Sequence, residues 1–267
     1  MSAPELPTTI RVSSWTELHE QLYADSWKAA LGRFRSSFAF RGVSSADYSL
    51  QTGLGRLGGT DELERHMLRN FRKYAQREAV PYDSIWNWLA VAQHHGLPTR
   101  LLDWTYSPYV ALHFATEHVD EFTVDGVIWC VDYAATNRYL PDALKDVLAA
   151  EGSDVFTAEM LGRAVPTLRD FDALSHERFV AFLEPPSLDE RIVNQFALFS
   201  LVSNASARLE SWLIDHPRCY RRLVVPAALK WEVRDKLDQA NITERVLYPG
   251  LDGLSRWLRR YYTPTTR

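Results

Sequence analysis

The stretch QHHGLPTRLLDWTYSPYVALHFAT, from Gln93 to Thr116, constrains the fold more than any other part of the chain. It sets His94, His95, Thr99, Arg100, Asp103, Thr105 and Ser107 around Leu101 and Leu102, then runs into an apolar segment. Gly96 and Pro98 stop a helix whose apolar pattern begins at Ile85. The two leucines anchor a central strand. Ser107-Pro108 opens a further helix, with proline in its first turn, running to about His118. So many polar groups at the junctions of buried elements describe one wall of a pocket.

The remaining pattern reads as helices at both ends and strands in the middle, a single α+β domain. Residues 1–10 read as a loose leader. Ser14-Trp15-Thr16-Glu17 fits a capping box that begins a helix running to about Leu31. Phe38 and Phe40 alternate with Ala39 and Arg41, a strand pattern that turns Arg41 away from the phenylalanine face at the strand's end. Residues 61–79 read as a helix with Leu63, Met67, Leu68, Phe71 and Tyr74 near one face. Strands are expected at 127–131, 178–183, 196–202 and 221–225, with helix and loop over 136–175. Ser187-Leu188-Asp189-Glu190 fits a second capping box before a short helix. Helices over 226–239 and 250–262 close the chain. The expected division is a leader and helix over 1–34, then one domain over 35–262.

Composition excludes several classes. With 46% hydrophobic and 24% charged residues, the 267-residue chain is an ordinary globular protein able to bury a core. A net charge of -4 carries no overall nucleic-acid signature, although Arg33, Arg35, Arg56, Arg65, Arg69, Arg72 and Lys73 make the first third locally basic, most of them read as solvated helix faces. No apolar run reaches the ~20 residues that span a bilayer. The only cysteines are Cys130 and Cys219, and Cys130 sits in a strand pattern as a core thiol. The expectation is a soluble, cytoplasmic protein that makes no membrane contact.

The motifs narrow the chemistry further. Gly53-Leu54-Gly55-Arg56-Leu57-Gly58 matches GxGxxG, but no apolar strand precedes it. Asp61, Glu62 and Glu64 would repel a pyrophosphate at the following helix, so the segment reads as a flexible turn. Neighbouring His94 and His95 diverge by about 100° on a helix, which is poor for a shared metal, and no metal site is expected. There is no GxSxG nucleophile elbow. Arg41 before Gly42 can present a rigid fork to a phosphate or carboxylate. Arg100 and Asp103 can pair around the leucines. Gln93 and His94 end a helix where polar groups can face a pocket. Thr105 and Ser107 can cap the next helix or offer their hydroxyls to a ligand. Gln195, near Arg191, Asp189 and Glu190, stands where a helix hands over to a strand. The segment Arg256–Tyr262 interleaves basic and aromatic residues. It fits a single-stranded nucleic-acid surface, but the expected form is an amphipathic helix with Trp257, Leu258 and Tyr261 in the core.

These clusters, in this order, resemble the FRG domain family. The resemblance rests on Phe40-Arg41-Gly42, on the block Gln93–Thr105 with Pro108, Ala111-Leu112 and Phe114-Ala115, on Arg191 with Gln195, and on Leu247–Leu254. Ala197 departs from a glycine common in the family. The family is associated with bacterial and phage defence, and its motif layout resembles that of ADP-ribosyltransferases. The resemblance implies a central, split, mostly antiparallel sheet flanked by helices. It also implies an NAD-dependent enzyme that transfers ADP-ribose to a macromolecule or nucleotide, nucleic acid or protein, as a toxin or antiphage effector.

On that reading Arg41, Thr105 and Gln195 are catalytic. Arg41, Gly42, Gln93, His94, Thr99, Arg100, Asp103, Trp104, Ser107 and Arg191 hold NAD. A carboxylate would ordinarily stand where Gln195 does, so Asp103, Asp189 or Glu190 must supply the charge, or the reaction is slow. The rival readings are a non-catalytic nucleotide-sensing module and a nuclease using His94 or His95 with Asp103.

Overall fold

The computed structural model describes residues 8–75, 80 and 82–263. Its strands are β1 (Thr9–Arg11), β2 (Trp27–Lys28), β3 (Arg33–Phe34), β4 (Phe38–Val43), β5 (Leu102–Thr105), β6 (Gly126–Asp132), β7 (Phe156–Thr157), β8 (Val180–Glu184), β9 (Ala197–Val202) and β10 (Tyr220–Val225). Eight of them form one sheet in the order β1-β10-β6-β4-β5-β9-β8-β7, and β2 pairs with β3 apart from it. Within the sheet only the outermost pairs, β1 with β10 and β7 with β8, are parallel. The others are antiparallel. The chain is therefore α+β, a large mixed sheet flanked by helices.

Alternation along the strands sorts the core. Ala39, Leu102, Trp104, Val127, Trp129, Val131, Phe182 and Leu198 pack on one face with Leu209, Trp212 and Leu213 of the helix Leu209–Asp215. The opposite face carries two separate clusters. Phe38, Phe40, Ile128 and Cys130 pack with the helices Trp15–Tyr23, Pro108–Ala115 and Lys230–Gln239. Phe199 and Leu201 pack with the helices Ile85–His94, Asp142–Glu151 and Ala158–Ala164.

These two clusters part at β4 and β5. The strands are in register at one pair, Phe40 with Thr105, whereas β4 meets β6 at six positions from Phe38 to Val43. The sheet is continuous but splayed at its centre. Across the opening, Asp103 stands opposite Phe199 on the same face, so polar residues fill the gap between the clusters.

Several boundaries differ from the sequence expectation, each for a local reason. The first helix ends at Tyr23, because Asp25 takes a left-handed φ of 61° and the chain turns into the β2–β3 ribbon. Its Ser14 side chain accepts from Glu17 N–H, but Glu17 reaches back to Ser13 rather than Ser14. Thr9–Arg11 is an edge strand paired with Arg222–Val224 rather than leader, and residues 1–7 lie outside the described residues. Leu18 and Leu22 are buried against the β4 phenylalanines, so the first helix shares one core with the sheet and is no separate unit.

The helix at Asp61 ends at Tyr74, where Ala75 is extended, and residues 76–79 lie outside the described residues. Asp189, not Ser187, caps the helix Glu190–Asn194, accepting from Ile192 N–H at 3.0 Å. Leu258 and Tyr261 of the helix Leu251–Tyr261 are exposed. That helix docks instead through Gly253 and through Arg260, which bonds Glu244 and Asp238 at 2.5–2.8 Å. No described helix is long and apolar enough to cross a membrane.

Candidate functional site

The opening between β4 and β5 is a cleft of about 590 Å³. Strand β4 contributes Phe40, Arg41 and Gly42, and β5 contributes Asp103, Trp104 and Thr105. The end of the helix Ile85–His94 brings Gln93 and His94, and the helix Glu190–Asn194 brings Arg191 with Gln195 after it. Nine of the twelve sequence-derived candidates line this cavity; Thr99, Arg100 and Ser107 do not.

Arg41 is placed by strand geometry. Because β4 and β5 diverge beyond Phe40, its guanidinium Nη1 reaches across and donates to the Asp103 carbonyl at 2.6 Å. Burial pushes the guanidinium below its ordinary value; Asp103 opposes that and Arg56 adds to it. A half-buried arginine facing a second arginine is primed for an anion. Gly42 is required by packing: a Cβ there would sit 1.8 Å from the Ala111 carbonyl oxygen. The glycine lets β4 lie directly on the helix Pro108–Ala115.

Asp103 is the exposed carboxylate of the cleft, and a relay of one hydroxyl and one amide orients it. Thr99 Oγ1 donates to Gln93 Oε1 at 2.6 Å, and Gln93 Nε2 donates to Asp103 Oδ2 at 2.9 Å. Thr99 itself is buried behind the wall. His94 Nε2 lies 2.7 Å from Asp189 Oδ2 rather than against Asp103, so the pairing a His94–Asp103 hydrolase would need is not formed.

The remaining candidates have structural partners. Arg100 does not pair with Asp103. It is buried and bonds Glu64 at 2.6 Å and Asp172 at 2.5 Å, with Asp61 at 3.7 Å, behind the cleft wall. Thr105 is buried, donates to the Gln195 carbonyl at 2.7 Å and accepts from Ser107 N–H at 3.0 Å. Its hydroxyl holds the junction together. Ser107 caps the helix Pro108–Ala115 and does not line the cleft. Trp104 turns its indole N–H to Ser200 Oγ at 2.8 Å. Gln195 lines the cleft, but its amide N–H donates to the Leu247 carbonyl at 2.9 Å, as Asn194 donates to Val246. Arg191 stacks over Tyr248 with 5.3 Å from guanidinium carbon to ring centre.

Sequence reasoning missed Gln51, Gly53, Arg56 and Leu57, which form one lip of the cleft. Gly53, Arg56 and Leu57 belong to the GxGxxG segment, whose first part is a short helix, Gly53–Arg56, capped by Thr52, with Gln51 just before it. The available signal was Arg56, a cation between Gly55 and Gly58. Three arginines, Arg41, Arg56 and Arg191, therefore line the cleft with one carboxylate, Asp103. The two cysteines are free and buried, and burial pushes Cys130 up to about 12 and Cys219 up to about 11, so neither is a poised thiolate.

An α+β sheet opened at its centre over a cationic cleft defines the class. Residues 36–123 match the FRG domain model, so that part of the chain is similar to an FRG domain. The matched segment holds Arg41, Gly42, Arg56 and the block from Gln93 to Ser107; Arg191, Gln195 and Leu247 lie beyond it. Comparison with curated proteins and with solved structures gave no match.

Proposed function

We propose that the cleft binds NAD and that the protein is an ADP-ribosyltransferase. The observation that carries this reading is the charge arrangement: Arg41, Arg56 and Arg191 line one cavity with a single carboxylate, Asp103, which Gln93 orients. Three guanidinium groups suit a dinucleotide's pyrophosphate, and arginine forks favour phosphate oxygens. One carboxylate among them suits a cation that develops only as the reaction proceeds.

In the proposed reaction the bond between ribose C1′ and the nicotinamide nitrogen breaks, and its electron pair leaves with nicotinamide. C1′ becomes oxocarbenium-like, and Asp103 stabilises that charge. An acceptor nucleophile then bonds to C1′ and gives up its proton to Asp103, which passes it to solvent. Asp103, held by Gln93, takes the place that a carboxylate at position 195 would otherwise fill, while Gln195 and Thr105 hold the floor in shape. Such a transfer would make the protein a toxin or antiphage effector.

Gln195 also supports a second reading. With its amide tied to Leu247 and no carboxylate at that position, the cleft could serve as a nucleotide sensor without turnover. One experiment separates the two. Purified protein is incubated with NAD and cell lysate, and nicotinamide release is measured beside Arg41→Ala and Asp103→Asn. Release lost in both variants supports the transferase. Stabilisation by NAD without release supports the sensor, and neither release nor stabilisation rejects both.

A further inference from the structure

A second, larger groove of about 1240 Å³ lies at the other end of the helix Ile85–His94, whose first turn it shares and whose last turn enters the cleft. One side is the helix Asp61–Tyr74, which presents Arg65, Arg69, Arg72 and Lys73; Arg169 faces them from the helix Leu168–Asp172. All five cations are exposed. Arg72 pairs with Asp83 at 2.9 Å, the one carboxylate among the described lining residues. Among the described residues, Arg65, Arg69, Lys73 and Arg169 form no side-chain ion pair.

The spacing makes this costly. Arg65, Arg69 and Lys73 succeed one another at i and i+4, where like charges destabilise a helix by roughly 0.2–0.5 kcal/mol per pair. A solvated face has no need of such a row when the opposite charge would stabilise it. Tyr82, 65% exposed at the rim, adds a flat apolar ring beside the cations. A line of cations with an exposed aromatic suits a flexible polyanion with stackable bases.

We infer that this groove binds single-stranded nucleic acid, the phosphates along the Arg65–Lys73 row and a base on Tyr82. The groove and the cleft are separated by the helix Ile85–His94, ten residues and thus roughly 15 Å long. A strand held in the groove is therefore placed to present its acceptor atom near the cleft. The strand's role as acceptor rests on the transferase reading; its binding in the groove does not.

The test is fluorescence anisotropy with a labelled polyuridine strand, without NAD, over a salt series. Four cations with no ion pair among the described residues predict a slope of log affinity against log salt near −3, at about −0.7 per phosphate contact. The variant Arg69→Glu/Lys73→Glu should bind at least about tenfold more weakly with a visibly shallower slope, and Arg169→Glu should weaken binding from the opposite wall. Arg41→Ala should bind the strand as the wild type does. Thermal melting confirms that the variants are folded. Unchanged affinity in the charge-reversed variants, or loss of strand binding in Arg41→Ala, overturns the assignment. Tighter binding of polyglutamate than of the strand overturns it in favour of an acidic protein. Nicotinamide release without a strand should be the same in the double variant and the wild type, which keeps failure of the groove distinct from failure of the cleft.

Discussion

His94 Nε2 lies 2.7 Å from Asp189 Oδ2, so the last turn of one cleft helix is clasped to the cap of the next. Asp189 does both tasks with different oxygens, Oδ2 for His94 and Oδ1 for Ile192 N–H. Partial burial raises its pKa, but the Ile192 N–H and His94 outweigh that and hold it below the ordinary carboxylate range. A lowered folded value means stability present above the unfolded pKa and lost as pH falls through the folded one. Asp189→Ala should cost about 1 kcal/mol through the lost cap and lower Tm by about 3 °C. Asp189→Asn, which can keep the cap, should cost less. Equal losses in both would mean that the charge, not the cap, matters.

Arg41→Lys keeps a positive charge but gives up the planar fork. The variant should fold, because a lysine can still reach the Asp103 carbonyl that Arg41 now bonds. Its affinity for NAD, measured by calorimetry, should fall at least about tenfold, since a bidentate phosphate contact is lost. Undiminished affinity would place the phosphates on Arg56 and Arg191 instead.

Gly42→Ala tests whether the glycine serves the ligand or the fold. The new methyl would meet backbone atoms of Ala111 and Ala115 at 1.8 and 2.7 Å, which cannot swing aside as a side chain could. Overpacking of this kind costs about 3 kcal/mol or more, and Tm should drop by roughly 10 °C. A variant that melts normally but fails to bind nucleotide would contradict the packing role.

Restoring a carboxylate by Gln195→Glu should not raise nicotinamide release. The amide N–H that now donates to the Leu247 carbonyl would become an acceptor facing an acceptor. The expected result is a loss of about 1–3 kcal/mol, read by chemical denaturation. A faster enzyme with unchanged stability would show that Asp103 does not carry the charge.

His113 predicts the shape of the acid limb. Burial and then Arg234 push its pKa from 6.5 to about 3, and Arg234 Nη1 bonds its Nδ1 at 3.0 Å. The unfolded chain therefore takes up this proton first. The neutral ring's contribution is whole above about pH 6.5 and drains away as pH falls toward 3, by up to about 1.4 kcal/mol per pH unit. Urea titrations should show a flatter acid limb for His113→Asn than for the wild type.

Local signals were legible where one residue type decides a local event. Gly96 takes a φ of 82° after the helix Ile85–His94, and Ser107 with Pro108 starts the next helix, as their residue types require. The clustering of Arg41, His94, Thr105 and Gln195 was legible because a few short motifs carry it. Partnership over distance was not legible. Arg100 looks three residues along to Asp103, yet it bonds Glu64 and Asp172, which only the packed helices bring near. The edge strand Thr9–Arg11 has no signal of its own, because its partner β10 lies far along the chain. Leu258 and Tyr261 read as core because a helical stripe does not tell which face a buried ion pair will claim.

The tie between Gln195 and Leu247, and the pairing of Thr9 with Arg222, also set the order in which the molecule can come into being. Contacts of such long range close late, since loop closure must precede their reward. On a ribosome the central hairpins and helices have their neighbours early, but the cleft floor waits for Leu247 to emerge. The cleft floor and the β1 edge are thus among the last parts of the fold to be completed.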